Sequence, residues 1–395
     1  MSGTHKAGPW PLGIDNVSDD NALKRDDRGR TIALRDAFNV DITRDGQPER
    51  RRGRALTLSL PGMHSLWSGI SATFAVAAAT LYRITPATAT AVCALGSDDP
   101  CDYTELNGTV IVANRTSLVQ VNATGWRNVG VPNAPSPTAH ADAVGGMRAG
   151  RYSVAVSYMR GDEEGALSPL QHVAVPEGGG IRLTLIAADP EATHRRIYRT
   201  ECGGEVLYLC TEVSPALSSY LIGGDNLSAD SPTMHLTRMR PGEFVTHWAG
   251  RLVVGRGRTL EFSQPMNYGL MSPRHNFVQM PRRMTMVAGV EGGIFVGAAD
   301  GVYFLRGTDP RTWRIDKTSG LPPVKRCVAT INGDDTDVNF GQTGKEGALW
   351  LSANGFVIGT NDGNIIPMQA NRLRIPLALS GSLAILNRRA TAVIQ

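Results

Sequence analysis

The chain has 395 residues, a formal charge of +4 at neutral pH and 42% hydrophobic residues. That apolar content supports packed cores and excludes a disordered chain, while so small a charge gives no reason to expect a dedicated polyanionic partner. The length predicts about two or three domains, and 44 glycines with 23 prolines, without long amphipathic helical patterns, predict an all-β protein with many tight turns.

Residues 1–10 lack the apolar core of a signal peptide. The longest apolar run, residues 72–82, is far short of the roughly 20 residues that span a bilayer, so no membrane segment is expected. Five cysteines are present. Cys93 and Cys101, and Cys202 and Cys210, form two pairs spaced alike. Either pair could close a disulfide; structural thiols in strands are the competing reading, and Cys327 has no mate.

Residues 1–60 read as an N-terminal arm and first strands. Pro9-Trp-Pro-Leu-Gly-Ile-Asp-Asn16 is rich in turns, residues 18–30 are polar and charged, and Arg44-Asp-Gly-Gln-Pro48 reads as a hairpin turn. The arm has no core of its own, so Trp10 and Ile14 are candidate assembly contacts that gain order on a neighbouring subunit or adaptor. Arg50, Arg51, Arg52 and Arg54 form a basic cluster with two readings: contact with DNA, or a solvated strand end or subunit contact. A DNA binder ordinarily shows a broader basic field on a recognisable module.

Residues 61–136 read as the first part of a β-propeller. His64-Ser-Leu-Trp-Ser, Phe74-Ala-Val-Ala77 and Leu81-Tyr-Arg-Ile84 are short apolar runs bounded by turn residues. A further copy begins at Tyr103, and Asn107-Gly108 predicts a type I′ hairpin because both residues tolerate positive φ. Pro132-Asn-Ala-Pro-Ser-Pro137 marks a stiff linker. Residues 137–230 then alternate in several short strands, with Tyr152, Val154, Val156 and Tyr158 on one face, as expected of an inserted fibronectin-III/Ig-like β-sandwich.

Residues 231–395 read as the second part of the propeller. From 239 to 313 a strand–turn–strand–turn–strand unit occurs twice, and a unit near 40 residues suggests a propeller blade. A last set runs from 324 to 375. About five blades are expected. Residues 382–386 and 392–394 are candidates for closing strands, with residues 33–42 joining the last blade.

Chemical motifs are not found. His-Glu-x-x-His, Gly-x-Ser-x-Gly and the Walker A pattern do not occur. Gly341-Gln-Thr-Gly-Lys-Glu346 has the wrong spacing for a phosphate loop, and Asp334-Asp-Thr-Asp337 lacks the alternating ligands and distal glutamate of a calcium loop. No catalytic, metal-binding or cofactor-binding residue is therefore assigned, although two distant carboxylates for glycoside cleavage would leave no local trace.

Several stretches resemble a family of tailed-bacteriophage virion proteins. They are Pro9-Trp-Pro-Leu-Gly-Ile-Asp-Asn16, residues 34–46, Arg51-Arg-Arg-Gly-Arg-Ala55, Gly250-Arg-Leu-Val-Val-Gly255, Glu261-Phe-Ser-Gln-Pro-Met-Asn-Tyr-Gly269 and Gly307-Thr-Asp-Pro-Arg-Thr-Trp313. The resemblance implies a non-enzymatic structural protein of the viral tail, made in the host cytoplasm and carried in the virion. By that likeness it is a nozzle-like propeller forming a homo-oligomeric ring, a hexamer, around the DNA exit channel. Its partners are then other tail and adaptor proteins, with non-specific contact to packaged DNA. The family pattern marks strands and turns, so no functional residue is carried over. Two other readings stay open: an adhesin that binds the host surface through the sandwich, and a glycan-acting enzyme on the propeller.

Overall fold

Short apolar runs punctuated by glycine and asparagine do become strands. The computed structural model describes all residues except 1–7, 44, 52, 54, 225, 308, 334–335, 337–345, 370–371 and 387–388. Among the described residues the fold is all-β, and its only helical pieces are the 3-10 turns Asp20–Ala22 and Pro310–Thr312.

Five sheets share one design, four antiparallel strands in chain order. Sheet I holds His64–Ser68, Thr73–Ala77, Thr80–Ile84 and Ala89–Ala94. Sheet II holds Asp102–Leu106, Thr109–Ala113, Leu118–Val121 and Trp126–Asn128. Sheet III holds Phe244–Trp248, Arg251–Arg256, Thr259–Phe262 and Phe277–Gln279. Sheet IV holds Met284–Val290, Gly293–Ala298, Gly301–Arg306 and Arg314–Ser319, and sheet V holds Pro323–Asn332, Glu346–Ser352, Gly355–Gly359 and Ile365–Pro367. The last three start at residues 244, 284 and 323, steps of 40 and 39 residues, which is the repeat length read from the sequence.

The chain divides into two compact units, one of residues 1–63, 83–90 and 280–395, the other of residues 64–82 and 91–279. In the second unit, strand periodicity explains how sheets I, II and III stack. Side chains alternate along a strand, so Val110 and Val112 of sheet II join Phe74, Val76 and Leu81 of sheet I. Ile111 and Ala113 point the other way, onto Val245, Leu252 and Val254 of sheet III. A strand buried on both faces must be apolar at every position, which is why Thr-Val-Ile-Val-Ala reads as a continuous run. The turn before it is the one expected: Asn107 and Gly108 have φ of +50° and +71°.

The same unit contains the sandwich. One sheet is Thr138–Met147, Gly179–Thr184 and Ser219–Ile222; the other is Glu163–Glu164, Gly150–Arg160, His194–Thr200 and Leu207–Val213, with Gln171–Val175 also on Gly150–Arg160. Tyr152, Val154, Val156 and Tyr158 line the shared core as their alternation predicts. Val131 and Ala134 belong to that core too, so the proline-rich stretch is packed at its start.

In the first unit, sheets IV and V meet through Phe295, Phe304 and Trp350, with ring centroids of Phe295 4.6 Å from Phe304 and 5.4 Å from Trp350. Residues 382–386 and 392–394 belong to a separate hairpin, Gly381–Leu386 with Arg389–Ile394, which lays Leu383 and Ile385 on Leu349 and Ile358 of sheet V. Here the sequence expectation needs correction. Within residues 33–42, the strand Val40–Ile42 pairs with Pro48–Arg50 rather than with the last sheet. The cause is local, because Gly46 at φ +76° lets the Thr43–Gln47 turn close a hairpin at once.

Candidate functional site

The expected contact residues converge in the first unit. Trp10 is half-buried and donates its amide to Gly46 O at 2.7 Å. Ile14 forms a parallel bridge with Leu34. Asn16 then ties this stretch to the far end of the sequence: its amide donates to Arg372 O at 3.0 Å, its side chain donates to Arg374 O at 2.8 Å, and Arg374 N donates back to its Oδ1 at 2.7 Å. The described part of the arm is thus ordered on its own chain.

Of the four arginines, Arg52 and Arg54 lie outside the described residues. Arg50 is exposed on Pro48–Arg50, opposite Val40. Arg51 pairs with Asp41 at 2.8 Å, and Arg389 of the C-terminal hairpin reaches the same carboxylate at 3.4 Å. Two cations therefore share one carboxylate, whereas Arg50, next to Glu49 in the strand and opposite Val40, lies on the other face of the hairpin from Asp41. Arg389 could not be foreseen there, since 348 residues separate it from Asp41. Beside it, Leu386 and Val393 are 73% and 61% exposed on the outer face of the C-terminal hairpin.

The polar clusters elsewhere act as clasps. In the sandwich, Arg195 and Arg199 are each 1% exposed and donate to main-chain carbonyls: Arg195 to Ile186 at 2.6 Å and Leu217 at 3.2 Å, Arg199 to Thr200 and Gly224 at 3.0 Å each. Their guanidinium groups lie 5.5 Å from the ring centroids of Tyr158 and Tyr152. Glu164 accepts from Ser157 at 2.7 Å, Tyr198 at 2.6 Å and Arg196 at 2.7 Å. Burial, followed by this carboxylate's hydrogen bond, raises the Tyr198 phenol well above its ordinary pKa.

A second clasp fixes the sandwich to sheets II and III. Arg160 donates to Asn128 O at 3.1 Å and pairs with Glu163 and Glu191 at 2.9 and 2.5 Å. Arg238 donates to Val129 O at 3.0 Å. Gly130 and Gly269 come so close that a Cβ on Gly269 would stand 2.4 Å from the Gly130 Cα.

One Ser–His–Asp chain occurs in sheet I. Ser65 Oγ lies 2.9 Å from His64 Nδ1, and His64 Nε2 lies 3.1 Å from Asp98. Ser65 Oγ also accepts from Cys101 N at 2.9 Å, its carbonyl accepts from Tyr103 OH at 2.8 Å, and Asp98 accepts from Ala79 N at 2.6 Å. Each partner belongs to a turn or strand end, so the chain knits sheet I to its flanking loop. The Ala79 amide, and then His64, hold the Asp98 carboxyl below its usual value.

The motifs behind the resemblance have structural roles of the same kind. Ala249 and Gly250 make the turn into Arg251–Arg256 at φ of +45° and +69°. Glu261, 1% exposed, is held by Arg240 and Arg256. Asp309 caps the turn Pro310–Thr312 through Arg311 N at 3.0 Å, and Trp313 Nε1 donates to Gly307 O at 3.2 Å.

All five cysteines are free; burial raises the Cys93, Cys210 and Cys327 thiols to about 11, which leaves them unreactive near neutrality. Among the described residues, no group of three His, Cys, Asp or Glu side chains is placed to hold a metal ion, and no helix is long and apolar enough to cross a membrane. Most of the phosphate-loop look-alike, residues 341–345, and Asp334, Asp335 and Asp337 lie outside the described residues.

No family profile and no curated protein matches the chain. Among solved structures, similarity is found to BBS1N in complex with ARL6DN, with 11% identity, 85% of this chain, 89% of that chain and a TM-score of 0.32. The complex of the fission yeast SREBP–SCAP binding domains has 10% identity, 87% and 88% coverage and a TM-score of 0.28. The computationally designed Ika8 protein has 9% identity, 85% and 96% coverage and a TM-score of 0.26. Likeness at this level carries no argument about function.

Proposed function

We propose that the chain is a structural component of a tailed-phage tail, a nozzle-like subunit of a hexameric ring around the DNA exit channel. In this reading sheets I to V are the five blades of an irregular propeller interrupted by the sandwich. The observation that carries it is the five-fold recurrence of one four-stranded meander, together with the sequence motifs that resemble phage tail proteins. The meander recurs at the propeller spacing. First strands of successive sheets also meet edge to edge in the second unit: Asp102 accepts from Val245 N at 2.9 Å, and Thr104 Oγ1 lies 2.8 Å from His247 Nδ1. A rigid scaffold of this kind suits a channel ring, because it leaves short protected edges and two faces of loops.

The fixed seating of the sandwich on sheets II and III favours a structural part over a tethered receptor-binding module. The test is quantitative mass spectrometry of density-purified particles. The chain is expected there in a fixed ratio to the portal that corresponds to one hexameric ring. Its absence from particles would discard the tail reading, and a variable, sub-stoichiometric amount would favour an accessory adhesin.

A further inference from the structure

The sandwich carries like charge over most of its surface. Residues 137–230 contain seven arginines, no lysine and twelve aspartates or glutamates, a formal −5, and two of those arginines, Arg195 and Arg199, are buried. Its two flanks are finished differently. On one, the edge strand Leu207–Val213 is covered by its own chain: Leu209 N donates to Ala229 O, Ser228 N to Leu209 O and Ser231 N to Leu207 O, each at 2.9 Å. The edge strand of the facing sheet on that flank, Ser219–Ile222, is only four residues long.

The other flank is open. Among the described residues, Thr138–Met147 pairs only with Gly179–Thr184, and Gln171–Val175 only with Gly150–Arg160. Gln171 Nε2 links the two sheets there by donating to Ser136 Oγ at 3.0 Å. Proteins ordinarily blunt such edges with charge, proline or a bulge. These two strands hold one charged side chain, Asp142, which Arg182 neutralises at 2.6 Å, and neither contains proline. The ladder on Gly179–Thr184 is regular from Thr138 to Asp142 and slips only beyond it, so that stretch offers a straight row of main-chain donors and acceptors. His140, Ala141, Ala143 and Val144 are exposed along it, Val144 at 67%.

We propose that this flank receives the same flank of a second copy, the edge around Ala141 pairing antiparallel with itself across a two-fold axis. Facing residues must share a face of the joined sheet, so the axis passes through a residue, and charge selects which one. Centred on Ala141, His140 of each copy faces Asp142 of the other, and Ala139 faces Ala143. Centred on Asp142, two carboxylates would face each other; centred on His140, two imidazoles. Each oxygen of Asp142 holds one partner, Val144 N at 2.9 Å and Arg182 Nε at 2.6 Å, and so keeps a lone pair for the incoming imidazole. Two three-stranded sheets become one of six strands, at the one flank where the acidic sandwiches do not oppose like charge. The contact is isologous and closes at two chains. It is distinct from the heterologous contacts within a ring and stands independently of the tail reading.

The test is sedimentation velocity of the full-length chain over a concentration series, with thermal unfolding as the check on folding. A monomer–dimer equilibrium is expected. Salt should not weaken it, because main-chain pairing carries it and salt screens the like charge of the two sandwiches. Ala141→Lys sets two cations together at the axis and should weaken dimerisation about tenfold. His140→Asp faces Arg182 on its own sheet but opposes Asp142 across the axis twice per dimer, and should also cost about tenfold. His140→Asn, which still donates to Asp142, should dimerise as the parent does. A parent that is monomeric at every concentration overturns the pairing, as does a dimer that survives Ala141→Lys or His140→Asp. Equal loss in His140→Asn and His140→Asp overturns the register. A monomeric parent whose Ala141→Lys variant alone is missing from particles would assign the edge to a strand of another protein, and overturns the second copy as its occupant.

Discussion

Arg195 and Arg199 are cations buried in the sandwich, each 1% exposed. Each is held by neutral carbonyls and an aromatic face. Hydrogen bonds to a charged group contribute about 1.5–3 kcal/mol each, and truncation would leave several carbonyls without a donor. Arg195→Met is therefore expected to destabilise the chain by about 2–4 kcal/mol in chemical denaturation; a change within about 0.5 kcal/mol would show that water replaces the guanidinium. Gly359 sets a tighter limit. A Cβ there would stand 2.6 Å from the Phe295 ring and 2.7 Å from Trp350, and neither ring has room to retreat. Gly359→Ala should cost about 1–3 kcal/mol by overpacking, read as a lowered midpoint with an unchanged denaturant slope. Asp98 predicts an acid response. Its carboxyl is held below 3.8 in the folded chain, so its contribution is fully present above the ordinary value and is lost as pH falls through the lowered one. Thermal stability below pH 3.8 should accordingly fall more steeply for the parent than for Asp98→Asn, and parallel curves would show that the clasp is energetically silent.

Elements were legible in the sequence wherever periodicity was strong. Alternation in 152–158 gave the sandwich core, and Asn107-Gly108 gave its hairpin, because in both cases the information is local. The failure over residues 33–42 is instructive for the same reason. An analogy with closed propellers assigned them to a distant sheet, but Gly46 offered a partner only a few residues away, and the shorter loop closes at lower entropic cost. The proline stretch shows a third case. Pro132 and Pro137 read as a linker from composition, yet Val131 and Ala134 are 1% and 2% exposed in the sandwich core. A fragment spanning 129–231 should therefore be more stable than one spanning 137–230 by about 2–4 kcal/mol, the burial of one valine and one alanine. Equal denaturation midpoints for the two fragments would place those side chains outside the fragment's core.

At the scale of the whole molecule, sequence reasoning found the basic cluster and the arm but not their company. Arg50 and Arg51 were visible as a run, whereas Arg389 met Arg51 at Asp41 only through folding. Nothing local in residues 372–394 announces that residues 10–16 and 39–51 lie against them. The sandwich's acidity, by contrast, was countable from composition, and the burial of two of its arginines turned the count into a surface property.

The shared unit of residues 1–63 and 280–395 also sets an order of events at the ribosome. Residues 91–279 can fold as soon as they emerge, since domains complete themselves from the N-terminal side during synthesis. The first 63 residues must wait, for Asn16 has no Arg372 or Arg374 to bind, and Asp41 no Arg389, until the last segment has been made. We predict that nascent chains stalled after residue 279 are protease-resistant across the sandwich and cleaved within residues 8–60, and that release of the full chain protects both; early protection of 8–60 would contradict this. The two ends of the chain thus order together and last, so an unfinished chain would be marked by a protease-sensitive N-terminus.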